Sequence, residues 1–196
     1  MECIFSRWSP GIGDPSIGGW LTVLIYGLAA LTAFMRLQVA ISERERNRAT
    51  NRELSIWSGP EVRFWLVLGL ALVLLGINKQ LDLQSFLTAA GKCAAHAQGW
   101  YDNRKTVQLI FLIGLGIGGS ILAFFGFSML RGSFRKNSLV LAGMALLLIF
   151  VFARAASFHH IDLLINWRIL GLKINWILEI GALAMIITGA LRSREW

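Results

Sequence analysis

The sequence predicts an all-α integral membrane protein of about five transmembrane helices, with four as the alternative, plus an amphipathic interfacial helix near residues 80–98. Three observations predict it. The chain is 56% hydrophobic and only 15% charged over 196 residues, too apolar to hide its hydrophobes in one soluble core. Its apolar residues fall in long uncharged runs, which suit helices that cross a bilayer. Its charges lie between those runs instead of along one basic face, so the net charge of +8 points to membrane orientation and to no nucleic acid. No linker, repeat or low-complexity tract divides residues 1–196, which read as a single transmembrane helical-bundle domain.

Residues 1–19 hold two of the three prolines and lack the basic start and apolar core of a secretory signal, so they read as a retained extramembrane tail. Trp20 to Met35 is the first span, with Arg36 expected to snorkel its guanidinium outwards. Residues 41–63 are the most charged stretch. Glu43, Arg44, Glu45, Arg46, Arg48, Arg52, Glu53, Glu61 and Arg63 meet at helical offsets, as on a solvated loop or surface helix, and a partner or anionic lipid could dock there. Pro60 marks the next helix start.

Phe64 to Ile77 is a short second span whose helix is expected to run on into the polar residues 78–84. Because it is the shortest run, the four-span alternative makes it re-entrant or interfacial. Beyond it Leu83, Phe86, Leu87, Ala90, Ala94 and Ala97 recur at three- and four-residue steps, opposite Gln84, Thr88, Lys92 and His96. That periodicity predicts an amphipathic helix ending near Gly99, with Trp100 and Tyr101 as boundary anchors.

Val107 to Leu130 is uncharged throughout and rich in glycine. Gly114, Gly116 and Gly119 match a dinucleotide-binding pattern by spacing alone, but no strand precedes them. The Gly114–Gly118 and Gly116–Ser120 steps instead suit a helix-packing seam, towards this chain or another. A basic turn, 131–137, leads into a fourth span from Leu139 to about Ser157, and Ile174 to Leu191 forms a fifth, interrupted by Glu179.

Sorting the 19 lysines and arginines by side gives 11 against 8, with the excess on the side of the first loop and the C terminus. The positive-inside rule then places the N terminus outside and the C terminus in the cytoplasm. In consequence Asn78, Lys79, Gln80, Asp82, His96, Asp102, Arg104, Arg154, His159, His160, Asp162 and Glu179 gather at the outer end of the bundle.

Three kinds of chemistry fit that polar cluster. His159 and Asp162 share a helical face and, with His160 and with His96 from the preceding helix, could chelate a zinc or iron ion that acidifies a water. In the plainer reading the histidines sit at the water-lipid boundary and Arg154 pairs with Glu179 or Asp82 to fix helix register. In the third, Lys79 or Arg154 is the cation of a lipid-headgroup or quinone pocket, with the histidines as proton carriers. Ser157, His159 or His160, and Asp162 together resemble, over six residues, the polytopic membrane hydrolases of the alkaline ceramidase type. Those proteins carry a second, downstream histidine cluster. This chain has no histidine after His160, and no function is carried across.

Cys3 and Cys93 are the only two cysteines, both on the expected outer side. They are expected to stay unpaired, Cys93 reading as helical. Two functions fit the whole. One is a non-enzymatic subunit or binding protein of a membrane assembly, associating in the lipid bilayer with other membrane chains or with itself. The other is a metal-dependent, hydrolase-like membrane enzyme acting on a lipid-like substrate at the cluster.

Overall fold

A computed structural model describes residues 15–50, 59–81, 83–97, 99, 104–130, 134–156, 168–169 and 172–193, together with Cys3 and Ser6. Among the described residues six helices carry the fold: α1 (Ile17–Thr50), α2 (Pro60–Leu81), α3 (Leu83–Ala97), α4 (Arg104–Met129), α5 (Phe134–Ala156) and α6 (Ile174–Arg192). A two-residue antiparallel pairing of β1 (Arg168–Ile169) with β2 (Leu172–Lys173), not foreseen from the sequence, leads directly into α6. Among the described residues three helices, α1, α2 and α5, are long and apolar enough to cross a membrane. The stretch that the four-span alternative treats as re-entrant is one of them, as a 22-residue helix lying along α1.

The local sequence explains the helix ends. Ser16 caps α1, its Oγ accepting from the Gly19 amide at 3.1 Å, which satisfies one of the unpaired donors of the first turn. Pro60 opens α2 with its fixed φ, and Glu61 places an acid at the positive end of that helix. Of the run expected through 78–84, α2 ends at Leu81 and α3 begins at Leu83, with Asp82 outside the described residues. Just beyond α3, Gly99 takes φ +74°, a left-handed conformation that stops a helix cheaply only in glycine.

In space the helices follow the order α2, α1, α6, α5, α4, and a lighter contact of α4 with α2 closes the ring. The α1–α2 pair is antiparallel, with a Cβ at Gly69 meeting the Phe34 ring and one at Gly76 meeting Tyr26. Between α5 and α6 backbone approaches backbone. A Cβ at Gly143 would stand 2.8 Å from the Ala182 carbonyl oxygen, and one at Gly189 2.9 Å from the Val140 amide nitrogen. Glycine is required at both because backbone, which cannot move aside, is the neighbour. Leu24, Leu28 and Leu31 on α1, and Val67, Leu70 and Leu74 on α2, lie exposed at helical spacing. Hydrocarbon, not water, suits such faces.

Arg36 departs from its expected outward reach. It is 1% exposed, and its guanidinium carbon stands 5.6 Å from the Trp65 ring centroid. The reason is the face it occupies. Ala29, Ala33, Arg36 and Ala40 follow one another at steps of three and four, and the small alanines let α2 close over the longer side chain.

Candidate functional site

Three helices meet at one charged point. Glu179 lies in the second turn of α6, Lys79 in the last turn of α2, and Tyr26 in the third turn of α1. Lys79 Nζ donates to Glu179 Oε2 at 2.7 Å, and the Tyr26 hydroxyl donates to Glu179 Oε1 at 3.1 Å. Both carboxylate oxygens are therefore engaged. The side chains are closed off from solvent, Lys79 at 8% and Glu179 at 2% exposure.

The folding of each element supplies its part. Lys79 stands where α2 gives way to polar sequence, and its amine turns inwards to Glu179. Glu179 falls four residues before Leu183 and three before Ala182, both fully buried, so the face of α6 that seeks the core carries the carboxylate with it. Tyr26 stands four residues before the buried Ala30 on the core face of α1. An uncompensated charge here would cost several kcal/mol, and the opposite charge with its extra hydrogen bond offsets that cost. Chemically the result is a net-neutral clasp of three helices.

Several residues expected in the cluster are placed by the structure. Glu179 takes Lys79 as its partner where the sequence reading gave it Arg154. The side chains of Arg154 and Asp82 lie outside the described residues, as do His159, His160 and Asp162. Asn78 is exposed on α2, and His96 is exposed in the last turn of α3. Gln80 is half-buried, and its amide nitrogen and oxygen have no hydrogen-bond partner among the described residues. Among the described residues no three His, Cys, Asp or Glu side chains are grouped so as to hold a metal ion.

Tyr26 was missed by sequence reasoning. One of only two tyrosines in the chain, it sits inside an uncharged span, where a hydroxyl needs a partner. That demand was the available clue.

Cys3 and Cys93 are joined in a disulfide, which corrects the expectation that they stay apart. A helical position is no bar to pairing when the cysteine faces inwards. Cys93 shares the buried face of α3 with Ala89, one turn earlier, while Gly91 and Lys92 are exposed. The bond ties the stretch before α1 to the helix after α2.

The glycine seam on α4 divides in two. A Cβ at Gly116 would meet the Phe152 ring of α5 at 3.2 Å, whereas one at Gly114, Gly118 or Gly119 would meet nothing within 4 Å among the described residues. Ser120 is exposed on the same helix. No protein-family model, curated protein or solved structure matches the chain.

Proposed function

We propose that this chain is a non-enzymatic subunit or binding protein of a membrane assembly, built as a five-span bundle with its N terminus outside and its C terminus in the cytoplasm. The observation that carries this reading is the closure of Glu179 by Lys79 and Tyr26. The charges that meet in the bundle are spent on one another, as suits a device that fixes helix register.

Five spans are supported by the way α6 packs. It lies along α5 from Gly189 against Val140 to Ala182 against Gly143, and it also lies on α1, so it shares their depth. With α4 added, the termini fall on opposite sides. Two independent observations support the orientation, namely the excess of cations around the first loop and the Cys3–Cys93 bond, since disulfides persist in oxidising compartments.

Association with another chain is supported by α4. Each glycine in a helix interior costs about 1 kcal/mol relative to alanine, and Gly114, Gly118 and Gly119 answer no close contact among the described residues of this chain. A neighbouring helix approaching that face would supply the reason, with Gly116 and Ser120 bordering it.

Gentle purification with membrane-phase cross-linking tests the reading. A stoichiometric partner chain, or a defined oligomer cross-linked through cysteines placed at Gly114 or Gly118, is the expected result. A monomer that instead retains one equivalent of zinc or iron, lost on His159→Ala or Asp162→Ala, would replace it with the metal-dependent enzyme reading.

A further inference from the structure

The Cys3–Cys93 bond joins two unlike surroundings. Cys3 is exposed and lies ahead of α1, whereas Cys93 is 9% exposed on the inner face of α3. Thiol–disulfide exchange proceeds by attack of a thiolate on one of the two sulfurs, and access decides which one. An external thiol therefore meets Cys3, and Cys93 is the leaving group.

Packing by itself gives α3 a weak hold. Its inner face is Phe86, Ala89, Ala90, Cys93 and Ala94, with Ala89 and Cys93 buried and the others half-buried. An alanine methyl withdraws little apolar area from water, so three of those positions add little to docking. Among the described residues α3 leans only lightly on the other helices, and α2 is the one that it meets most. The chain ties the first turn of α3 to α2, which ends two residues earlier. The disulfide supplies a second tie in the third turn.

We infer that the Cys3–Cys93 bond is a redox latch on α3. A small-molecule thiol of the glutathione class attacks Cys3 Sγ. The bond between the two cysteines breaks, a mixed disulfide forms on Cys3, and Cys93 departs as a thiolate that takes a proton from solvent. A second thiol then attacks the mixed disulfide, so the protein gains two electrons and two protons while two external thiols become one disulfide. With the latch open, α3 loosens from its third turn, and the clasp of Lys79, Glu179 and Tyr26 still holds α1, α2 and α6 together. The latch depends neither on which way the chain faces nor on a partner for α4.

Trypsin reads the state of α3, because cleavage needs several residues of unwound backbone and Lys92 is exposed within the helix. The full-length chain in non-ionic detergent is digested before and after treatment with a water-soluble phosphine reductant, and cleavage after Lys92 is followed by mass spectrometry. Reduction is expected to speed that cleavage by roughly tenfold or more. No cleavage should be gained after Arg36 or Lys79, whose side chains the bundle encloses. Equal rates at Lys92 in the two states would overturn the latch. Cleavage at Lys79 that rises in step with Lys92 would also overturn it, in favour of unfolding of the whole bundle. Brief exposure to reduced glutathione, quenched in acid, should place the first adduct on Cys3, and a first adduct on Cys93 would overturn the route of attack. Cys93→Ala should be cut after Lys92 without reductant as fast as the reduced chain. The comparison of oxidised with reduced chain needs no variant, so it decides even if that substitution does not fold.

Discussion

Lys79 and Glu179, one hundred residues apart in sequence, meet at 2.7 Å inside the bundle and join the end of α2 to the start of α6. With Tyr26 they link the helix pairs α1–α2 and α5–α6. About 15 Å further along α1, by its rise per residue, Arg36 and Trp65 form a second buried polar contact within the first pair.

Removal of one member of the clasp should cost more than removal of both. Glu179→Gln or Lys79→Met alone is expected to lose about 3–5 kcal/mol, because each leaves the other charge buried and uncompensated. A Lys79→Met, Glu179→Leu double variant should recover most of that loss. Thermal unfolding in detergent, arranged as a double-mutant cycle, measures the coupling; additive losses would mean that the pair contributes nothing jointly. Tyr26→Phe should cost about 1 kcal/mol.

The two glycine sets should respond in opposite ways. Gly189→Ala and Gly143→Ala push a methyl group into backbone across the α5–α6 contact and are expected to destabilise by about 1–3 kcal/mol. Gly118→Ala meets nothing within 4 Å among the described residues and should be neutral or stabilising by up to about 1 kcal/mol in the isolated chain. A loss at Gly118 only when the chain is in its native membrane would locate a partner there.

The disulfide should be measurable as a tether. It closes a loop with a sequence separation of 90, for which chain entropy predicts a contribution of about 4–5 kcal/mol. Reduction, or Cys3→Ser, should lower the unfolding temperature and release one thiol pair or one thiol respectively to alkylation under denaturing conditions. Free thiols in the unreduced protein would contradict the bond.

Trp65 should be far more sensitive to loss of volume than to loss of its indole. It is fully buried, so Trp65→Ala is expected to cost about 3–5 kcal/mol. Trp65→Phe keeps an aromatic face under Arg36 and should cost about 1 kcal/mol, the difference between a stronger and a weaker cation–π partner. Equal losses would show that the ring does not serve the guanidinium.

Sidedness has a direct reading. Ser42 is exposed on α1 towards its charged end, and with Cys3 and Cys93 replaced a cysteine at position 42 is the sole label site. Impermeant thiol reagents should fail to reach Ser42→Cys in intact cells and should label it in opened ones. Ready labelling of intact cells would invert the proposed orientation.

Sequence alone determined that the chain is helical and carries segments long and apolar enough to cross a membrane, since runs such as Trp20 to Met35 and Leu139 to Ala153 could satisfy their backbone in lipid only as helices. It also placed Pro60 at a helix start and Gly99 past a helix end, because both depend on the backbone geometry of single residues. Local pattern has no information about partners brought from far along the chain. It grouped Lys79 and Glu179 at one end of the bundle without joining them, sent Arg36 outwards, and left Cys3 and Cys93 apart. The tertiary structure decided those three, through packing. Alanines on α1 let α2 close over Arg36, the buried face of α3 turned Cys93 to the incoming chain, and Glu179, carried inwards by the core face of α6, needed the nearest cation. Helix formation is a local free-energy choice, whereas pairing depends on which faces meet, and that is fixed only when the helices pack.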